Sequence, residues 1–275
     1  MKNQQDIEKK KELLKYYYGE KHYSQAKCAK LLGPGIGRNT IKKWLKELNL
    51  PIRTFNEAIQ YANSHKKNKQ EDYFSIESEN MAWILGFLAS DGTIGLKNNR
   101  IKIGLSAIDK EILEKIKQEI SIENKITEYI TNKGYEVVEL SWTCARHKKD
   151  LAKYGIIPQK TYYLTPPYKL NEKYFLDFLR GYFDGDGGIS HKSSGGITFS
   201  IGSCTKEILE WFVENLEKQY NIPKVKILED HRNKNTYYYF CYSTNSSKQL
   251  YKLLYKNPDS LKLLRKYNKY TNMCM

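Results

Sequence analysis

Two stretches of this sequence end alike, in a small residue followed by aspartate and glycine. They are ILGFLASDG at residues 84–92 and LRGYFDGDG at residues 179–187. Each stretch follows an apolar run and predicts a helix that ends with Asp91 or Asp186. We expect Gly92 and Gly187 to end these helices in the left-handed conformation. A carboxylate at a helix C-terminus costs a few tenths to about 1 kcal/mol unless a cation offsets it. A divalent cation would do so, and oxygen ligands suit Mg²⁺.

Small residues within the two stretches predict how the helices pack. Gly86 and Ser90 are four residues apart, as are Gly181 and Gly185, so each pair leaves one helix face almost free of side chains. Two such faces can pack backbone against backbone, which brings both carboxylates to the same end. Trp83 points another way and is expected to be buried within its own half.

A single Asp-Gly ending is an ordinary turn signal. Here the ending occurs twice, 187 − 92 = 95 residues apart, and similar patterns follow each copy. In these two motifs the chain resembles the LAGLIDADG homing endonucleases in their single-chain, two-repeat form, over roughly residues 76–270. The first copy has Ala89 where many members of that family have an acid.

The resemblance implies an α+β fold, a pseudo-twofold pair of αββαββα halves. It also implies two adjacent active sites that use Mg²⁺ or Mn²⁺, with Asp91 and Asp186 as metal-binding acids. We place the preceding residues, Ser90 and Gly185, in the same metal site. Lys160 and Lys266 resemble, by position, a basic residue that some members hold near the scissile phosphate, although a salt-bridging or phosphate-binding role is an alternative for both.

The composition indicates a polyanionic partner. The 275 residues include 46 Lys and Arg against 31 Asp and Glu, a net charge of +15. No segment resembles a membrane anchor or a lipid-binding helix, which argues against a membrane partner. The five cysteines are scattered without a C-x-x-C pair, so we expect neither disulfides nor a zinc site. The first residues lack a signal-peptide core, which predicts a protein that is not secreted, in a bacterial or phage-infected cytoplasm or an organelle matrix.

The N-terminal region predicts a helix-turn-helix DNA-binding domain. Residues 1–75 carry 16 Lys and Arg against 8 Asp and Glu. Helical patterns over residues 7–18, 25–32 and 38–48 surround a glycine-rich turn. The residues expected to face DNA are Arg38, Asn39, Thr40, Lys42, Lys43 and Lys46. The alternative is a three-helix bundle with a solvated basic face.

We divide the chain into four segments: the helix-turn-helix domain at 1–55, a basic polar linker at 56–75, the first repeat at 76–170 and the second at 171–275. After each motif the hydrophobic pattern predicts strand, helix, two strands and a closing helix. These are residues 100–106, 109–120, 125–131, 135–142 and 147–154 in the first repeat, and 196–202, 205–220, 224–229, 236–243 and 245–255 in the second.

The two sheets would form a saddle that places strand side chains in the major groove. The candidates for groove or phosphate contacts are Lys97, Asn98, Arg100, Lys102, Lys226, Arg232, Lys234 and Asn235. We therefore predict a monomeric, metal-dependent endonuclease that cuts both strands of double-stranded DNA at a long site. Two alternatives stay open: an RNA maturase that assists intron splicing, and a DNA-binding regulator without catalysis.

Overall fold

The structure, a computed structural model, describes residues 2–21, 23–54, 57, 70–192, 195–231 and 236–274. The chain divides into two compact units, residues 1–68 and 69–275. Of the segment expected to be a linker, only Glu57 and residues 70–75 belong to the described part.

The N-terminal unit is helical. Its helices are α1 (Lys2–Leu14), which continues as a π-helix over Lys15–Glu20, α2 (Gln25–Leu32) and α3 (Arg38–Glu47). Ser24 caps α2 by accepting a hydrogen bond from the Lys27 amide at 3.2 Å, as Ser does at helix N-termini. A small apolar core, which includes Leu14, Cys28 and Ile41, holds the three helices together.

The second unit contains two similar halves. The first half consists of α4 (Glu79–Asp91), β1 (Gly92–Ile94), β2 (Arg100–Ser106), α5 (Lys110–Glu119), β3 (Thr127–Ile130), β4 (Glu136–Thr143) and α6 (Ala145–Lys153). The second half consists of α7 (Phe175–Asp186), β5 (Gly188–His191), β6 (Ile197–Ser203), α8 (Lys206–Tyr220), β7 (Leu228–Asp230), β8 (Tyr237–Tyr242), α9 (Thr244–Leu254) and α10 (Leu264–Cys274). The antiparallel sheets have the matching orders β1-β2-β4-β3 and β5-β6-β8-β7. The predicted α+β fold of two repeats is confirmed.

Four elements differ from the prediction. The short strands β1 and β5 were not predicted, because three or four residues are too few to show a period; pairing with β2 and β6 defines them. Of the predicted strand 224–229, only residues 228 and 229 are in a strand, the three-residue β7. Helix α10 was also missed, because its sequence is largely polar; its Tyr270 is fully buried, 5.8 Å from the ring of Phe183.

The strands have one core face and one polar face. Ile101 and Ile103 of β2 are fully buried, whereas Arg100 and Gly104 are exposed, as the alternation predicts. The same core continues beneath both sheets and around α4 and α7, so the two halves fold as one unit.

A buried polar network joins the halves. The carboxylate of Asp184 on α7 accepts hydrogen bonds from the indole N–H of Trp83 at 2.9 Å, the Leu263 amide at 3.0 Å and the Tyr255 hydroxyl at 3.1 Å. Trp83 is buried as expected, but it reaches across to the other half instead of staying within its own. These donors satisfy a carboxylate that burial would otherwise make costly.

Among the residues described, no helix combines the length and apolarity needed to cross a membrane.

Candidate active site at the helix crossing

The two motif helices, α4 and α7, cross in direct backbone contact. A Cβ atom built on Gly86 would lie 2.0 Å from the Phe178 carbonyl oxygen, and one built on Gly181 would lie 2.0 Å from that of Trp83. Real Cβ atoms essentially never come this close to another heavy atom. Glycine is therefore required at both positions by the distance between the helices.

The crossing continues to the C-terminal ends of both helices. A Cβ atom on Gly185 would lie 1.8 Å from Ser90 Oγ and 3.0 Å from Asp91 Oδ2. The structure thus places Gly86, Ser90, Gly181 and Gly185 at one interface. The Asp91 carboxylate lies against the residue that precedes Asp186, so the two acids meet although they are 186 − 91 = 95 residues apart.

The glycines after the two acids do not have the expected conformation. Gly92 has φ −72° and ψ 148°, and Gly187 has φ −75° and ψ 152°, so both are extended and not left-handed. The chain passes directly from each helix toward a strand instead of making a left-handed cap. Glycine is needed for space, because a Cβ atom would lie 2.5 Å from the carbonyl oxygen of Leu88 or Phe183.

The surroundings of the two acids disfavour negative charge. Asp91 is half-buried, and loss of solvation together with the nearby Asp186 carboxylate raises the pKa of Asp91 to about 6. The Asp186 side chain is more open to solvent, yet enough protein surrounds it that loss of solvation raises its pKa as well. Both acids also lie at helix ends with negative partial charge. The site is therefore one that a cation would stabilise.

Two lysines partly supply that positive charge. Lys160, in a 3₁₀ turn over Lys160–Tyr162, is buried, and its ammonium donates to the carbonyl oxygen of Ser90 at 2.7 Å. Lys266 on α10 donates to three carbonyl oxygens at the end of α7, those of Phe183 at 2.9 Å, Gly185 at 2.6 Å and Gly187 at 2.7 Å. Burial lowers the pKa of Lys160, and it lowers that of Lys266 to about 8. The structure thus brings Asp91, Asp186, Lys160 and Lys266 together.

The oxygen atoms at this crossing fit Mg²⁺ or Mn²⁺. The Ser90 hydroxyl donates to the Phe87 carbonyl at 3.0 Å, and the carbonyl oxygens of Ser90 and Gly185, both predicted to belong to the metal site, already accept from Lys160 and Lys266. The carboxylates of Asp91 and Asp186 are therefore the oxygens that would hold a cation. Within the described ranges, no three His, Cys, Asp or Glu residues are grouped so that they could hold a metal ion. Mg²⁺ commonly binds one or two carboxylates and completes its shell with water and substrate phosphate. The donors suit a cation shared with a bound phosphodiester.

The DNA-binding candidates of the N-terminal unit are accessible. Arg38, Asn39, Lys42, Lys43 and Lys46 are exposed along α3, and Thr40 is half-buried. The buried face of α3 consists of Ile41, Trp44 and Leu45. The helix therefore has one face in the core and a separate, mostly basic face toward solvent.

The candidates on the sheets are only partly described. Lys97 and Asn98 are exposed in the loop between β1 and β2, Arg100 is exposed on β2 and Lys102 is half-buried there. Lys226 is exposed just before β7, whereas Arg232, Lys234 and Asn235 lie outside the described residues. The positive side chains that the structure describes on strands are thus in the first half's sheet.

Sequence analysis missed two residues that organise this surface. The Lys148 ammonium donates to the carbonyl oxygens of Gly95 at 2.6 Å and Asn98 at 2.7 Å and so holds the β1–β2 loop. Glu139 forms ion pairs with Arg100 at 2.8 Å and Lys102 at 3.1 Å. For Glu139 there was a signal, since it alternates with the buried Val138 and Leu140 and must face away from the core. For Lys148 there was none.

Comparison with known proteins agrees with the two-repeat architecture. The family model described as "LAGLIDADG-like domain" matches residues 78–154 and 174–265, one segment in each half. An uncharacterized protein of Methanocaldococcus jannaschii is 24% identical over 197 residues, an alignment that covers 66% of this chain and 69% of that protein.

Similar solved structures are more distant. Full-length DUF199/WhiA from Thermatoga maritima has a TM-score of 0.45 at 14% identity, with 74% of this chain and 64% of that chain covered. This chain therefore spans slightly less than two thirds of the WhiA structure. The homing endonuclease I-WcaI bound to its DNA recognition sequence has a TM-score of 0.47 at 14% identity, with 84% and 97% covered. A structure of mesophilic variants from the homing endonuclease I-DmoI has a TM-score of 0.46 at 13% identity, with 74% and 100% covered.

Proposed function

Because the chain belongs to the LAGLIDADG family, we propose that it is a site-specific endonuclease that cuts both strands of a long double-stranded DNA target with Mg²⁺ or Mn²⁺. The observation that carries this proposal is the contact between the two motifs. The Asp91 carboxylate lies against Gly185, which places it beside the second acid, Asp186. Two adjacent acids provide one site for each DNA strand.

The proposed roles follow from the charges at the crossing. Asp91 and Asp186 hold the divalent cations, which when bound stabilise negative charge on the attacking and leaving oxygens of the phosphodiester. Lys160 and Lys266 lie at the ends of the same helices, where the ammonium of Lys160 binds one carbonyl oxygen, that of Lys266 binds three, and both offset the paired carboxylates. In the complex they keep positive charge beside the scissile phosphates.

The proposed partner is double-stranded DNA. The polar face of the first sheet carries Arg100 and Lys102, and the N-terminal unit presents the basic face of α3. Because one chain contains both halves, we propose that it acts as a monomer. We also propose that it acts inside a cell, a phage-infected cell or an organelle, where DNA is accessible.

A second candidate, a DNA-binding regulator without cleavage, has one observation in its favour. Lys160 and Lys266 already place two positive charges beside the two acids and bind the helix-end carbonyls. In a regulator these two ammonium groups, and not a metal ion, would offset the two carboxylates.

A cleavage assay separates these candidates. The protein would be incubated with a randomised or genomic DNA library in Mg²⁺, Mn²⁺ or EDTA, and the new DNA ends would be sequenced. Metal-dependent ends at one recurrent sequence support the endonuclease. Binding to a recurrent sequence without new ends supports the regulator, and preference for folded RNA over DNA would support a maturase instead.

We expect the kcat/KM for cleavage to depend on pH at both ends of the neutral range. It should rise as Asp91 ionises, since its pKa is about 6, and fall as Lys266 loses its proton, since its pKa is about 8. More divalent cation should move the acidic limb to lower pH, because cation and proton compete for Asp91. A Lys266→Arg variant should lose the alkaline limb. An acidic limb that does not respond to cation concentration would contradict the role of Asp91.

We expect deletion of residues 1–55 to weaken DNA binding and to flatten its dependence on salt. The deleted segment carries most of the 16 Lys and Arg found in residues 1–75, and each lost phosphate contact reduces the slope of log K against log salt by about 0.9. Residues 69–275 form their own compact unit, so the thermal transition of the remainder should persist. An unchanged salt slope would show that the N-terminal unit does not contact DNA.

A further inference from the structure

The polar face of the first sheet has an acid among its basic residues. On this face, β2 carries Arg100, Lys102 and Gly104. On the paired strand β4, Ser141 lies opposite Lys102 and Glu139 lies opposite Gly104. An isolated acid on a surface that would meet DNA costs affinity, because it repels phosphates. Its presence therefore needs an explanation other than binding strength.

Glu139 binds both neighbouring cations at once. Its Oε1 accepts from Arg100 Nη2 at 2.8 Å, and its Oε2 lies 3.1 Å from Lys102 Nζ. The Glu139 side chain is only 13% exposed, compared with 52% for Arg100 and 36% for Lys102. The Glu139 carboxylate is thus close to the sheet, and the two cationic side chains are more exposed to solvent.

Stability is not the main consequence of this arrangement. The two cations are largely open to solvent, which screens their attraction to the carboxylate and keeps the contribution of each pair to the free energy of folding small. What the pairs change is the freedom of two long side chains, because each is held in one orientation. The Ser141 hydroxyl, 3.2 Å from the same Arg100 Nη2, adds a second restraint.

Arg100 keeps donors for a ligand. Both of its contacts use Nη2, so within the described part of the chain its Nη1 and Nε remain available to an acceptor outside the protein. A guanidinium held in one plane matches the O6 and N7 acceptors of guanine in the major groove, whereas a mobile one binds any phosphate.

The second sheet has no such group at the corresponding positions. Its polar face carries Ser200 and Gly202 on β6, paired with Cys241 and Tyr239 on β8. These side chains are uncharged, so the two halves present different chemistry to a bound duplex. Among the described residues, a pair of cations held by one carboxylate on a sheet is found in the first half.

We propose that Glu139 is a positioning residue that holds Arg100 and Lys102 as a fixed pair of donors and so makes the first half of the protein select guanine in its half of the DNA site. This inference rests on the proposed function, since it takes DNA as the ligand. It adds the base preference of one half-site and the residue that produces it.

The test compares two variants that remove the same charge from the same sheet. Glu139→Gln removes the ion pairs with Arg100 and Lys102. In the control, Glu128→Gln, a neighbouring acid on β3 loses its ion pair with Lys110, which lies 2.7 Å away. Glu128 is opposite Val138, on the other face of the sheet. Each full-length protein would be mixed with a randomised duplex library in EDTA, where cleavage does not interfere, and the bound DNA would be sequenced.

We expect the wild-type protein to select guanine at one or two positions of one half-site. Glu139→Gln should reduce that preference about tenfold, bind unrelated DNA more tightly, and steepen the salt slope by about one unit. Glu128→Gln should keep the wild-type preference, and the thermal midpoints of both variants should stay close to that of the wild-type protein.

Two results would overturn the inference: an unchanged base preference in Glu139→Gln, or an equal loss in Glu128→Gln. Either result, obtained with a wild-type protein that cuts its site, leaves the endonuclease proposal intact. A wild-type protein that selects no DNA sequence would remove both.

Discussion

Asp91→Asn is expected to reduce double-strand cleavage about a thousandfold and to leave DNA binding intact. The amide keeps the size of the carboxylate but lacks the negative charge that holds a divalent cation. Metal ions contribute several kcal/mol to the stabilisation of such transition states, and about 1.4 kcal/mol corresponds to a factor of ten in rate. Asp186→Asn should have the same effect, and either variant should leave at most nicking of one strand.

Measurements of the free energy of unfolding show whether Asp91→Asn loses cleavage because the metal site is lost or because the protein no longer folds. The pKa of Asp91 is raised from 3.8 to about 6 in the folded protein, so its favourable contribution is complete below pH 3.8 and is lost as the pH rises through 6. At pH 8 without metal, Asp91→Asn should therefore be more stable than the wild-type protein, by roughly 3 kcal/mol. At pH 3.5 the two should unfold alike.

The control is Asp259→Asn, which changes an exposed acid of the second half. It should cut DNA at the wild-type rate. If Asp91→Asn and Asp186→Asn both retain full double-strand cleavage, the crossing is not the active site and the endonuclease proposal fails in this form.

Gly86→Ala is expected to destabilise the second unit by about 3 kcal/mol and to abolish cleavage. In a helix, alanine is normally better than glycine by roughly 0.5–1 kcal/mol, so local propensity predicts a small gain. The added Cβ, however, would lie 2.0 Å from the Phe178 carbonyl oxygen, and a backbone atom cannot move aside as a flexible side chain can. The helices must separate, and the two acids at their ends separate with them. Urea unfolding and the cleavage assay measure the two effects.

Gly104→Ala is the matched control for stability. Apart from Gly104 and its two chain neighbours, no heavy atom of the described residues lies within 4 Å of the Cβ position at Gly104, which is on the polar face of β2. Its free energy of unfolding should stay within about 0.5 kcal/mol of the wild-type value. Equal destabilisation by the two variants would mean that the close approach of α4 and α7 is not what requires Gly86.

Much of the fold was predictable because its signals are local. Strand β2 shows its alternation within seven residues, and the helical pattern over residues 25–32 matches the bounds of α2. Helix α10 was not predictable in this way. Its polar sequence acquires a buried face only when Tyr270 packs against Phe183, a contact between distant parts of the chain.

The same distinction between local signals and long-range contacts applies to the candidate site. The sequence by itself determined that Asp91 and Asp186 end two equivalent helices and that Gly86 and Gly181 leave those helices free to touch, because residue type and spacing are properties of each short segment. The family resemblance already pointed to Lys160 and Lys266, but only the tertiary structure decided which backbone atoms these two lysines contact. Lys160 reaches Ser90 across 70 residues, and Lys266 reaches Gly185 across 81. Such pairings depend on where the chain returns after folding, and no local pattern encodes that position.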